Sequence, residues 1–210
     1  MTEEYFDIYD EQMNPIGTAT RSETHAKGYW HRSFHCWLTR KEKDRRYVRF
    51  QLRQSSKDTY PDCYDITVAG HLSAGETMRD AARELQEEIG VTASFGDLIP
   101  LGQLREDTEG TAGGVRFIDR EVSDVFGFVC SLPLMELQLQ AEEVAGVYEA
   151  DLNELLQLFE HERTELIVSG VAVSPDGEQT PSVRSVRAEQ FVPRKAEYYA
   201  SVMRALRDCT

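Results

Sequence analysis

Apolar and polar residues alternate with a period of two in several stretches, the mark of strands with one buried face. Tyr5–Tyr9, Ser33–Leu38 and Tyr47–Leu52 carry this pattern, the last with Val48, Phe50 and Leu52 on one side. The charged stretch Arg40–Arg46 is the expected loop between the second and third of these strands. Tyr64–Val68, Leu98–Leu104 and Glu121–Cys130 read as further strands, the last two separated by the glycine-containing loop Gly110–Gly114. Val168–Val173 and Ser182–Val186 fit a hairpin around Ser174-Pro175-Asp176-Gly177. Helices are expected over Ser22–Lys27 before Gly28, Thr77–Ile89 before Gly90, Leu152–Phe159 behind a cap at Asp151, and Arg194–Arg207. In the last of these, Tyr198, Val202 and Leu206 recur every four residues. Asp10–Gly17 and Ser55–Pro61 have loop chemistry, and Leu132–Ala141 fits neither periodicity.

Strands and helices therefore mix without internal repeats, an α/β pattern. At 210 residues the chain is long enough for one domain with an appendage. Residues 1–160 are expected to form the main domain. Residues 161–210, a hairpin plus a helix, are expected to pack on it, because fifty residues alone bury too little surface to be stable.

The composition narrows the partners. Acids outnumber bases 37 to 23, for a net charge of -14. That argues against nucleic acid as the partner, since such binders carry basic surfaces. An anionic small molecule is compatible with it, provided local Arg or Lys residues or a divalent cation offset the repulsion. The first ten residues hold four acids and no apolar core, unlike a secretory signal, and no stretch approaches a membrane span. The cysteines, Cys36, Cys63, Cys130 and Cys209, have no paired spacing and read as reduced thiols of a cytoplasmic protein.

The distinctive chemistry lies on the expected helix Thr77–Ile89. Glu84 and Glu88 are four apart and share a face, with Glu87 bordering it and Glu76 at the entrance. Like charges at this spacing destabilise an isolated helix. A hard divalent cation reverses the effect, because Mg2+ takes a few carboxylate oxygens and shares them with substrate phosphates. Met78, Ala81, Ala82, Leu85 and Ile89 form a separate apolar stripe for packing on a sheet. Taken alone, the acidic run also fits a solvated helix face.

Flanking glycines change that reading. Gly70-His71-Leu72-Ser73-Ala74-Gly75-Glu76, followed by Arg83-Glu84-Leu85-Gln86-Glu87-Glu88-Ile89-Gly90-Val91, resembles the Nudix box, G-x5-E-x7-R-E-U-x-E-E-x-G-U with U aliphatic. Every defined residue type is present in order, but six residues rather than seven separate Glu76 from Arg83. The helix entrance is the expected absorber of the missing residue, which leaves the Glu76–Arg83 pairing open. The resemblance implies the Nudix fold, a mixed β-sheet sandwiched between helices (α/β/α). It further implies hydrolysis of a diphosphate linkage, in a nucleoside diphosphate derivative or related metabolite, by water attack on phosphorus. Glu84, Glu87, Glu88 and the Ala69 backbone carbonyl would hold Mg2+, with Mn2+ as a substitute. Glu87 and Glu121 are the candidates for the catalytic carboxylates. A homodimer is compatible with the family.

Beyond the box, His25 to His35, Arg53, Lys57, Pro61 and Gly70-His71 are similar to the branch that contains isopentenyl-diphosphate isomerases. There His25, His31, His71, Asp119 and Glu121 would correspond to a second metal set. A hydrogen-bonded structural role for the histidines is the other reading, and an outward strand position is the other reading of Glu121. Arg53 and Lys57 correspond to diphosphate contacts, or are solvated loop bases. His35, Trp30 and Trp37 read as packing residues. The isomerase cysteine is replaced by Ala69, which cannot do thiol chemistry, so hydrolysis is the expected reaction. Isomerisation of an isoprenoid diphosphate, and ligand binding without turnover, are the alternatives.

Overall fold

The computed structural model describes residues 3–57, 59–112, 114–195 and 197–209. Asp58 of the expected loop Ser55–Pro61, Gly113 of the loop Gly110–Gly114, and Ala196 at the start of the expected C-terminal helix lie outside them, as do Met1, Thr2 and Thr210. In chain order the described residues form β1 (Tyr5–Tyr9), β2 (Pro15–Thr20), α1 (Arg21–Lys27), β3 (Trp30–Glu42), β4 (Arg45–Arg53), β5 (Tyr64–Ile66) and β6 (Val68–His71). There follow α2 (Arg83–Ile89), β7 (Ile99–Ala112), β8 (Val115–Val129), β9 (Val144–Asp151), α3 (Leu152–Phe159), β10 (Leu166–Val173), β11 (Gln179–Val186) and α4 (Tyr198–Cys209).

One mixed sheet joins these strands, running β11-β10-β9-β4-β3-β1-β2, with β5, β6, β7 and β8 as branches. β3 is its hub. It pairs antiparallel with β4 and β6, and parallel with β8 over Trp30–Thr39. Its alternation serves two cores. Phe34, Cys36 and Leu38 face the layer that contains Leu85 and Ile89 of α2. Trp37 faces the layer built with α3 and α4, where Leu155, Tyr198, Val202 and Leu206 are buried. Helices thus cover both faces, as a mixed α/β/α sandwich requires. β10 continues the sheet from β9, and Val192 donates its backbone N–H to the Tyr64 carbonyl at 2.8 Å, so the segment before α4 lies along β5.

Three expectations need correction. The helix expected from Thr77 begins as an α-helix only at Arg83. Asp80–Ala82 form a 3-10 turn ahead of it, closed over Thr77 by the Asp80 carboxylate. The strands around Gly110–Gly114 extend through it, so most of that loop is the end of a long β7–β8 hairpin. The loop Arg40–Arg46 likewise shrinks to a tight turn at Lys43 and Asp44. Charged residues stand opposite one another in both hairpins, as Glu42 does to Arg45 and Asp107 to Arg120, which is why polarity alone reads them as loops. Arg116 meets Glu109 at 2.5 Å and Arg120 meets Asp107 at 3.1 Å.

Candidate active site

α2 forms one wall of a cleft of about 1230 Å³ lined by Glu84, Glu87 and Glu88. Its apolar stripe, Ala81, Ala82, Leu85 and Ile89, is buried against the sheet, and Gly90 ends it in the left-handed region at φ 71°. Burial of that stripe fixes the carboxylates toward the cleft. Arg83 organises the acids. Its guanidinium grips Glu76 through Nε at 2.7 Å and Nη2 at 2.9 Å, and Nη1 reaches Glu84 at 2.6 Å and Glu87 at 2.8 Å. Glu76 also accepts the Ser73 backbone N–H. The Glu76–Arg83 pair therefore forms despite the short spacing. The 3-10 turn explains how: at about 2.0 Å rise per residue, three residues span the same ~6 Å as four α-helical ones.

Gly70 lies against the Glu84 carboxyl, and a Cβ there would force that carboxyl to move. Glu88 is buried and accepts a hydrogen bond from Gln51 Nε2 at 3.1 Å. Burial raises the pKa of Glu84, and burial together with the Glu84 charge pushes Glu88 up to about 8. Two neighbouring carboxylates in a polar cleft that resist ionisation fit a divalent cation, which would supply the missing positive charge.

The facing wall comes from β3, β6, β8 and α1. His31, Ser33 and His35 lie at i, i+2 and i+4 on one face of β3. Parallel register sets Glu121 beside His31 and Ser123 beside Ser33, while β6 sets His71 opposite Ser33. Glu121 Oε1 accepts from Ser123 Oγ at 2.7 Å and from Ser33 Oγ, with His35 Nε2 at 3.4 Å; Oε2 lies 3.7 Å from His71 Nε2. Burial would raise the Glu121 pKa, but His35 and His71 beside it hold it well below the usual carboxylate range. His71 is raised, because Glu121 outweighs its burial. Burial, with His71 beside it, lowers His31 to about 4, and burial lowers His35.

His25, His31 and His71 bring ligand atoms within 4.8 Å of one another, as do His31, Asp119 and Glu121. His31 Nε2 and Asp119 Oδ1 are buried without hydrogen-bond partners and lie 3.7 Å apart, and His25 Nε2 is 3.6 Å from the same oxygen. Orphaned polar atoms facing each other call for a shared third partner. Phe6 stacks against both His31 and His71, holding the rings in place.

The predicted site residues thus meet around one cleft, with different roles for some. Arg53 spends its fork on its own neighbourhood, donating to the Thr59 and Tyr60 carbonyls and to Asp65, and so braces the loop at the rim. Lys57 pairs with Glu143. Both line the cleft. Glu121 does not point outward, and His35 does more than pack. Trp30 and Trp37 are buried, as expected. Sequence reasoning missed Ser33, Ser123 and Gln51; Arg194, in the segment before α4, bridges Glu106 and Asp65 at 3.0 Å each. The period-two spacing of His31, Ser33 and His35 was a signal for the first of these. Ala69 lines the cleft, and no cysteine does among the described residues.

The chain is similar to known proteins over most of its length. Residues 29–169 match the NUDIX domain model. A Clostridium acetobutylicum protein described as an uncharacterized Nudix hydrolase is 35% identical over 208 residues, 99% of both chains. An isopentenyl-diphosphate Delta-isomerase of Salmonella heidelberg is 31% identical over 146 residues, 69% of this chain and 75% of the relative. Among solved structures, a Deinococcus radiodurans protein superposes with a TM-score of 0.53 at 17% identity, over 75% of this chain and 90% of that one.

Proposed function

The chain belongs to the Nudix hydrolase family, and from that premise we propose that it is a Mg2+-dependent pyrophosphohydrolase of a small diphosphate metabolite. The carrying observation is the pair Glu84 and Glu88. Both are buried, both face the cleft, and both are pushed toward the protonated form, so the wall is incomplete without a cation. Glu84, Glu88 and the Ala69 carbonyl would hold it, with Glu87 beside them. Bound there, Mg2+ or Mn2+ supplies neutralisation of the phosphate oxygens and a more acidic water.

Water adds to phosphorus, the bridging P–O bond breaks, and the water's proton passes to a carboxylate. Glu87 suits that step. It is the exposed member of the box, tethered by Arg83 and open to the cleft. Glu121 suits it less, because a carboxylate held so far below its usual pKa is a weak base and a good ligand. Its place is the second cation site, with His25, His31, His71 and Asp119, where the orphaned His31 and Asp119 atoms support ion binding over a purely structural role. Lys57 and Arg53 add positive potential at the rim for the substrate phosphates.

The net charge of -14 supports a small-molecule substrate over nucleic acid, and four free thiols support a reducing, cytoplasmic setting. Isomerisation would use the same histidine cluster, but among the described residues no thiol lines the cleft. A panel of diphosphates incubated with Mg2+ tests the reading. Phosphate-containing products should appear with wild type and vanish with Glu87→Gln. An isomerised diphosphate, or binding without turnover, would overturn it.

A further inference from the structure

We infer that Tyr198 and His35 are positioning residues that orient the Glu121 carboxylate and leave one of its oxygens for a cation. The inference rests on the proposed role of Glu121 as a ligand. Hydrogen-bond accounting carries it. Tyr198 is buried on α4, and its hydroxyl has two partners: Trp37 Nε1 at 3.4 Å and His35 Nδ1 at 3.1 Å. An indole N–H can only donate, so the Tyr198 oxygen accepts from Trp37. The Tyr198 proton then needs an acceptor, and among the described residues His35 Nδ1 is the one in reach. That assigns the remaining proton of His35 to Nε2, which faces Glu121 Oε1 at 3.4 Å. An ionised carboxylate can only accept. The direction of every bond from Trp37 to Glu121 follows from its two ends.

The consequence is asymmetric. His35, Ser33 and Ser123 all converge on Oε1. Oε2 faces His71 at 3.7 Å, and the Glu121 carboxylate groups with His31 and Asp119 in the cleft. With Oε1 saturated by protein donors, Glu121 offers a cation a single oxygen. Outer contacts of this kind fix a ligand's orientation, and removing one typically costs 10–100-fold in metal affinity. The brace also gives the last helix a part in the site. Tyr198 lies 163 positions from His35 and beyond the segment matched by the family model, so truncating the extension would release Glu121.

Mn2+ alone, titrated into the full chain and followed by electron paramagnetic resonance, tests the idea, with thermal unfolding as the check on folding. Glu121→Gln defines the affinity that this ligand contributes. Tyr198→Phe removes one oxygen and keeps the ring, and should weaken the same Mn2+ site by about tenfold without loss of fold. His35→Gln, whose amide N–H can replace Nε2–H, should retain more affinity than His35→Leu. In the His35→Leu background Tyr198→Phe should add nothing. Unchanged Mn2+ affinity in a folded Tyr198→Phe variant overturns the brace, as do equal affinities of His35→Gln and His35→Leu. Unchanged affinity in Glu121→Gln overturns instead the reading of Glu121 as a ligand, and the brace with it.

Discussion

The two walls of the cleft treat their carboxylates in opposite ways. On α2, Glu84 and Glu88 are buried with few donors, and their pKa values rise, Glu88 to about 8. On β8, Glu121 is as enclosed but is met by two serines and two histidines, and its pKa falls. Burial is common to both, so the difference is made by hydrogen bonding. Under the proposed function, a cation completes the α2 wall from outside. The β8 wall gathers Ser33, Ser123 and His35 on one oxygen of Glu121 and turns the other toward His71. One cleft thus combines a wall whose carboxylates resist charging with a wall whose carboxylate stays charged.

Breaking the α2 wall should have the largest effect. Glu88→Gln keeps the shape and removes the charge, so turnover should fall by at least about 10²-fold, while the metal-free protein unfolds at an equal or higher temperature. Loss of stability together with loss of activity would mean that Glu88 is an ordinary structural acid. Gly70→Ala should come next. The added Cβ displaces the Glu84 carboxyl, at an expected cost of about 1–3 kcal/mol, with weaker Mg2+ dependence in the same assay.

The contrast also fixes a pH response. Glu88 titrates near 8 when folded and near 4.5 when unfolded, so the folded chain binds the extra proton between those values. Stability of the metal-free protein from this group is therefore full below about pH 4.5 and is lost as pH rises toward 8, with a slope approaching 1.4 kcal/mol per pH unit, roughly, for one proton. Denaturant titrations across that range should show the decline, and saturating Mg2+ or Glu88→Gln should flatten it. A metal-free profile with no decline would contradict the shift. The smallest effect should be Arg83→Lys. A point charge cannot grip Glu76 with two N–H groups while holding Glu84 and Glu87. About 1 kcal/mol of stability should be lost, with a modest fall in kcat and little change in KM.

Much of this was legible along the chain. The box residues, their helix face and the apolar stripe behind them are local patterns, and local patterns survive in sequence. The start of α2 was not legible, because Thr77 and Asp80 close a 3-10 turn where composition favours a helix. The β7–β8 and β3–β4 hairpins were cut short because their charged residues pair across strands, and pairing partners are invisible to a one-dimensional polarity scan. His35 looked apolar in context, since the partners that give it a role, Tyr198 and Glu121, approach through tertiary packing alone. Arg53 was placed at the cleft but not with its fork turned inward onto Thr59, Tyr60 and Asp65.

Turnover in 18O-labelled water tests the central claim most directly. With Mg2+ present, a diphosphate substrate that the protein consumes should yield one labelled phosphate product per bond broken, detected by mass spectrometry, and Glu87→Gln should abolish the label. Consumption of the substrate without 18O reaching any phosphate, or label that persists undiminished in Glu87→Gln and Glu88→Gln, would contradict hydrolysis by the carboxylates of α2.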